Sequence, residues 1–222
     1  MAVEREIKLT IANQEAFQRL TVEIPRLLAE YKPVLSKQVY QDLYVDSPDL
    51  SLLRHRLALR FRQSADKRWM TLKGNGGVVN GVSIRSEWEE PLDFLPMSVD
   101  QLPVGEIRER VVKCLPPGAD WQTLMQVTLE RLTLDIRLPE DCLVELALDD
   151  GQVLAGGQKV RFWELELEAK GGEFSCISQL AEDMAKRYTL APANHSKFSL
   201  GLQLAGIQLK DLPPIGEERA IY

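Results

Sequence analysis

Apolar residues recur at every second position along much of this chain, and the positions between them carry charge. Glu4, Glu6, Lys8 and Thr10 alternate with Ile7, Leu9 and Ile11. Arg60 and Arg62 alternate with Leu57, Leu59 and Phe61, and Thr71 and Lys73 with Met70 and Leu72. Arg85, Glu87 and Glu89 face away from Ile84 and Trp88, and Arg131, Thr133 and Asp135 face away from Leu132, Leu134 and Ile136. Glu145 and Asp149 oppose Val144, Leu146 and Leu148, and Glu164, Glu166 and Glu168 oppose Trp163, Leu165 and Leu167. Period two predicts strands whose two faces meet different surroundings. Turn residues at Ser47-Pro48-Asp49, Gly74-Asn75-Gly76-Gly77, Pro139-Glu140-Asp141 and Gly156-Gly157 separate the runs and leave about eight short strands. Helical spacing predicts a helix from Gln14 to Tyr31, kinked or split at Pro25, a second from Phe174 to Tyr188, and a third near Val99 to Cys114. The fold class is α+β with mostly antiparallel pairing, one domain over residues 1–204, and an extended tail over 205–222.

For one strand, alternating charge means a solvated sheet face. Here the charges are sorted: acids gather on the first and the last two strands, Arg and Lys on the third and fourth. About eight antiparallel strands close into a barrel just wide enough for side chains or a small ligand. The charged faces would then line a tunnel. Buried ions without partners cost several kcal/mol each, so such a tunnel must be hydrated, internally paired or filled. A polyphosphate carrying a divalent cation satisfies both signs at once, since Arg forks grip phosphate oxygens and carboxylates hold the cation.

Composition narrows the chemistry. With 45% hydrophobic and 27% charged residues the 222-residue chain has globular character. A net charge of -6 argues against sequence-independent nucleic-acid binding, which needs a dense external basic surface. No run reaches the roughly 18 to 20 apolar residues of a membrane span, so the reading is a soluble, cytoplasmic protein with neither nucleic-acid nor membrane partners. His55 and His195 are the only histidines. A metal must therefore rest on carboxylates, and oxygen donors favour Mg2+, Mn2+ or Ca2+. Cys114, Cys142 and Cys176 lack the paired spacing of a zinc site and are read as reduced thiols. Gly74-Asn75-Gly76-Gly77 opens no helix with a GKS/T ending, so it is a hairpin turn rather than a phosphate loop.

The N-terminal Glu4-x-Glu6-x-Lys8 resembles the signature of the CYTH superfamily, the triphosphate tunnel metalloenzymes. Tyr44-Val-Asp46-Ser-Pro48-Asp49, Leu59-Arg60-Phe-Arg62, Thr71-Leu-Lys73, Arg85-Ser-Glu87-Trp-Glu89, Glu145-Leu-Ala-Leu-Asp149, Glu164-Leu-Glu166-Leu-Glu168 and His195-Ser196-Lys197 follow in that family's order, over roughly residues 2–204. The resemblance implies a closed eight-stranded antiparallel β-barrel with flanking helices. It also implies that Lys8, Arg60, Arg62, Lys73, Arg85, Arg131 and Lys197 bind the substrate, with Arg131 equally open as a structural charge partner. Glu4, Glu6, Glu87, Glu89, Glu145, Asp149, Glu164 and Glu166 form the metal set, in which Glu89 and Asp149 could instead support ion pairs. Glu6, Glu166, Glu168 and Lys8 are the implied catalytic groups, working with Mg2+ or Mn2+.

The activity so implied is hydrolysis of inorganic triphosphate to diphosphate and phosphate. Thiamine triphosphate hydrolysis and the class IV adenylyl cyclase reaction on ATP are the alternatives within the same tunnel. A non-catalytic polyphosphate or nucleotide sensor is the rival from another class; it would keep the basic wall and could lose the acids. The bacterial triphosphatases most resembled often carry a C-terminal helical CHAD domain, from which this chain departs by ending at Tyr222. A stand-alone form and a shortened one both fit. Oligomeric state is not legible.

Overall fold

The inverted alternation is resolved by closing the sheet on itself. A computed structural model of the chain describes residues 2–74, 78–115 and 118–208. Its strands are β1 (Ala2–Thr10), β2 (Val34–Asp46), β3 (Leu57–Gln63), β4 (Arg68–Gly74), β5 (Val78–Val79), β6 (Val82–Pro91), β7 (Gln122–Leu138), β8 (Cys142–Ala155), β9 (Gln158–Gly171) and β10 (Ala191–Pro192). They join in the order β10-β1-β9-β8-β7-β2-β3-β4-β6-β5, and β1 pairs again with β6. Eight strands thus close a barrel, with the two-residue β5 and β10 on its margin. Every pairing is antiparallel.

Four helices bear on the outside. α1 (Gln14–Leu27) starts at Asn13, whose side chain accepts from the Ala16 N–H at 2.9 Å. It runs through Pro25 without splitting and passes into a 3-10 turn, Ala29–Tyr31. Pro25 lies in the last turn, where only the carbonyl four residues back must yield, and the buried stripe Leu20, Ile24, Leu28 holds the helix on the barrel. α1 and α4 (Phe174–Tyr188) cover Ile7, Leu9, Leu146, Leu148, Leu165 and Leu167. On the opposite side the short α2 (Ser51–Arg54) and α3 (Glu106–Cys114) cover Leu59, Phe61, Met70, Leu72 and Trp88. The region expected as one helix from Val99 to Cys114 divides into a 3-10 turn, Val99–Gln101, and α3.

Half of the barrel interior is apolar, which the charge alternation did not announce. Tyr44, Met125, Val127, Leu129, Val153 and Phe162 pack there against Phe198 and Leu202. The last two belong to α5 (Lys197–Leu204), a helix begun by a reciprocal Ser196/Ser199 capping box. α5 seats on β7 so closely that a Cβ on Gly201 would run into Met125. It closes one end of the barrel.

Cys142 and Cys176 form a disulfide joining the start of β8 to the first turn of α4, with Cα atoms 6.4 Å apart. This corrects the reading of three reduced thiols: the pair is 34 residues apart in sequence and meets only because α4 packs back over β8 and β9. Cys114 alone stays free. The start of the presumed tail also folds back, Ile207 donating its N–H to the Leu202 carbonyl at 2.9 Å and packing on the plug. Residues 209–222, like the Asn75–Gly77 part of the expected hairpin turn, lie outside the described residues.

Candidate active site

Every residue proposed from sequence for metal, phosphate or catalysis belongs to a barrel strand, except Lys197 at the start of α5. All of them except Glu6, Asp149 and Glu164 line a cavity of about 1280 Å³, Lys8, Arg60, Arg62, Lys73, Arg85 and Glu166 among them. Its charges fall into three layers between the plug and the open mouth.

The deepest layer is an ionic knot, joined to the layer above through Lys8 and Glu6, 3.0 Å apart. Glu166 accepts from Lys8, from Lys197 at 2.6 Å and from Arg131 Nη2 at 2.6 Å. Arg131 forks onto Asp149 with two bonds of 2.7 Å, and Lys197 reaches Asp149 at 2.9 Å and Glu164 at 2.7 Å. Burial alone would raise the Glu166 carboxyl, but Lys197, Lys8 and Arg131 outweigh it and hold it well below the usual range. Asp149, Glu164 and Glu166 bring carboxylate oxygens within 4.8 Å of one another, a spacing that could hold a metal. Three cations already neutralise them, so we regard this group as an ionic anchor. Of the two roles open to Asp149 and Arg131, the ion pair is the one their geometry satisfies.

The middle layer carries the basic wall. Lys73 donates to Glu4 at 3.0 and 3.2 Å and lies 3.3 Å from Glu87; Arg85 donates to Glu4 and, at 2.6 Å, to Glu6. Arg62 is forked onto the buried Asp42 by two bonds of 2.7 Å. That leaves Arg60 with little: its Nη2 donates to Thr71 at 2.9 Å, Asp42 and Glu89 are 3.8 and 4.0 Å away, and its buried Nε has no partner. Burial, then Arg85 and Arg60, push the Lys73 ammonium below its ordinary value. Asp42, Tyr44, Glu87 and Glu89 outweigh burial and hold the Arg60 guanidinium above its ordinary value, so what Arg60 has to spare is hydrogen-bond donors, Nε above all, rather than uncompensated charge.

The mouth is the acidic layer. Glu145 and Glu168 stand directly opposite each other on β8 and β9, and Glu6 opposite Glu168 on β1. Burial, with help from Glu4 and Glu145, raises the Glu168 carboxyl to about 7 despite Lys170 at 2.8 Å. Burial and the nearby Glu4 likewise raise Glu87. Glu89 is half exposed at the rim and accepts from Thr71. The Glu168 and Glu87 carboxyls are both raised chiefly by burial and further by the neighbouring acids, and an all-oxygen donor set of this kind fits a hard divalent cation better than any thiolate- or imidazole-seeking metal.

Four positions in or beside the site had no place in the sequence reading. Asp42 and Lys170 continue the alternations of β2 and β9 and could have been found by carrying period two further. Tyr40 and Trp69, whose rings meet edge to face at 6.3 Å beside the mouth, with Arg62 stacked 4.5 Å over Tyr40, needed the closed barrel to bring β2 and β4 together.

A closed antiparallel barrel enclosing layered acidic and basic side chains defines a charged tunnel. The chain belongs to the CYTH domain family, which it matches over residues 2–199. It is 26% identical over 210 residues to the inorganic triphosphatase of Haemophilus influenzae, covering 94% of this chain and 56% of the relative. The chain thus spans little more than half the length of that curated relative. Solved structures share the fold: a Hippeastrum protein studied as an adenylyl cyclase and found to have a dominant triphosphatase activity (TM-score 0.69, 22% identity, 92% of this chain and 97% of that one); a Bacillus halodurans protein described as an adenylate cyclase (0.61, 19%, 88% and 96%); and the mimivirus capping-enzyme triphosphatase (0.53, 13%, 84% and 89%). No helix among the described residues is long and apolar enough to cross a membrane.

Proposed function

We propose that this chain hydrolyses inorganic triphosphate, using a divalent cation, Mg2+ or Mn2+, held at the mouth of the tunnel. The observation that carries the reading is the pairing of two features in one cavity: a buried Arg60 with an unpartnered Nε donor in the basic layer, and carboxyls at the mouth that burial and neighbouring acids raise above their ordinary range. A metal–polyphosphate ligand meets both. The named activity of the Haemophilus relative points the same way.

In this reading Arg60, Lys73 and Arg85 take the phosphate oxygens that carry charge in the transition state, with Lys8 and Lys197 deeper and Arg62 held in place by Asp42. Glu4, Glu6, Glu87, Glu145 and Glu168 are the carboxylates positioned to hold the cation. When bound, that cation supplies charge neutralisation and a more acidic water. Glu168, poised near neutrality, accepts the proton of the attacking water. Glu166 keeps its cations in register rather than acting as a base. Incubation with tripolyphosphate and Mg2+ or Mn2+ should release phosphate; absence of release with both metals overturns the reading.

The aromatic pair at the mouth favours a second reading, an organic triphosphate such as thiamine triphosphate or ATP, with the planar group resting against Trp69. Trp69→Ala should then raise KM for that substrate by about tenfold, the worth of one aromatic contact, while leaving KM for tripolyphosphate unchanged. Equal effects on both substrates discard this reading. Cyclic AMP among the products of ATP would identify the cyclase form of it.

A further inference from the structure

Beyond Glu168 the β9 register slips. Leu143 pairs with Gly171 and Val144 with Ala169, so Lys170 sits in a bulge with no residue opposite. Lys170 follows Glu166 and Glu168 on the inner face of β9, and its ammonium stands at the mouth, 2.8 Å from Glu168 and 3.7 Å from Glu145. It stands between two carboxylates that the reading above gives to a divalent cation. Lys170 also differs from the other tunnel cations in freedom. Its side chain is 43% exposed, whereas those of Lys73 and Arg85 are 13% exposed and each is tied to two carboxylates.

We propose that Lys170 is a tethered place-holder for the metal: it neutralises Glu145 and Glu168 in the metal-free chain, swings to solvent when a divalent cation takes them, and so sets the metal concentration at which the tunnel loads. The inference rests on the metal-dependent reading of the site. A unit positive charge and a divalent cation cannot share one carboxylate pair, because their repulsion at such range is several times thermal energy. Residence of the lysine is favoured by its ion pairs, and departure is cheap because its long stem already reaches water.

The test titrates Mn2+ into the chain by calorimetry, with no phosphate compound present. Lys170→Met keeps the stem and removes the charge. It should bind Mn2+ about fivefold more tightly, since the displaced ion pair is partly exposed and modest in strength, and Lys170→Arg should not. Melting in chelator gives a second readout. Loss of the place-holder leaves two carboxylates facing each other, so the Met variant should melt below wild type without metal and regain the difference with Mn2+. Unchanged or weaker Mn2+ binding in the Met variant overturns the proposal, as does an equal loss of melting temperature with and without metal. Either result, alongside intact metal-dependent phosphate release by the wild type, would leave the triphosphatase reading standing. Failure of wild type and variant alike to bind Mn2+ overturns both.

Discussion

Glu166→Gln should destabilise the folded chain by about 3 to 5 kcal/mol, the cost of stranding buried cations by removing their shared partner. Lys8, Lys197 and Arg131 all converge on this one carboxylate in the deepest part of the barrel. The amide that replaces it keeps the shape but not the charge. For a chain of this size the loss corresponds to a fall in Tm of roughly 6 to 15 °C, measurable by calorimetry at neutral pH without substrate. A Tm within a degree or two of wild type would show that Glu166 is not the anchor, and would return it to the catalytic or metal-binding role that the motif alone implies.

Glu168→Gln should behave in the opposite way, with stability kept and hydrolysis reduced by about 10² to 10⁴, the usual worth of a positioned base. The sign of its pH dependence follows from its surroundings. The folded value lies near 7 against an ordinary 4.5, so the folded chain holds this proton more tightly than the unfolded chain does. Ionising Glu168 therefore costs stability, and Tm should decline as pH rises from about 4.5 to 7. The groups held below their ordinary values, Glu4, Asp42, Asp149 and Glu166, act at lower pH, whereas Glu87, Glu164 and Asp46, also raised, add to the decline above their ordinary values. Replacement of Glu168 by Gln should lessen the decline there. Activity in the wild type should climb over the same interval, with an inflection that moves lower once the carboxylate shares a cation. Wild-type turnover in the Gln variant would remove Glu168 from the chemistry.

Contrasting these two glutamates, two residues apart on one strand, shows how far the sequence could be read. Period two put both on the inner face, and the sorting of acids from bases was enough to infer a closed barrel. What separates them is depth along the barrel, which period two does not encode. The apolar plug was hidden for a related reason. From Met125 to Glu130 the alternation is sharp but in the opposite phase: Met125, Val127 and Leu129 are buried inside while Gln126, Thr128 and Glu130 are exposed, whereas further on Leu134 and Ile136 are buried on the outer face under the helices, so period two alone does not say which face is inside. α2 and α5 escaped notice because they are short and lean on local capping. Asp46 accepts the N–H groups of Ser47, Leu52 and Leu53 at 2.8 Å each, and Ser196 and Ser199 bond reciprocally. The Cys142–Cys176 bridge depends on how a helix packs, and nothing in cysteine spacing carries that.

β1 seals the barrel by pairing with β6 on one side and β9 on the other. During synthesis this strand is made first, yet its second partner is not complete until Gly171. In the interval it is an open edge, the kind of surface on which chains pair wrongly with one another. Glu4, Glu6 and Lys8 lie along that edge, still hydrated, and charge on an unpaired strand discourages a neighbour from adding to it. The carboxylates and lysine read here as ligand contacts thus also act earlier, as gatekeepers that keep the unsealed barrel from aggregating.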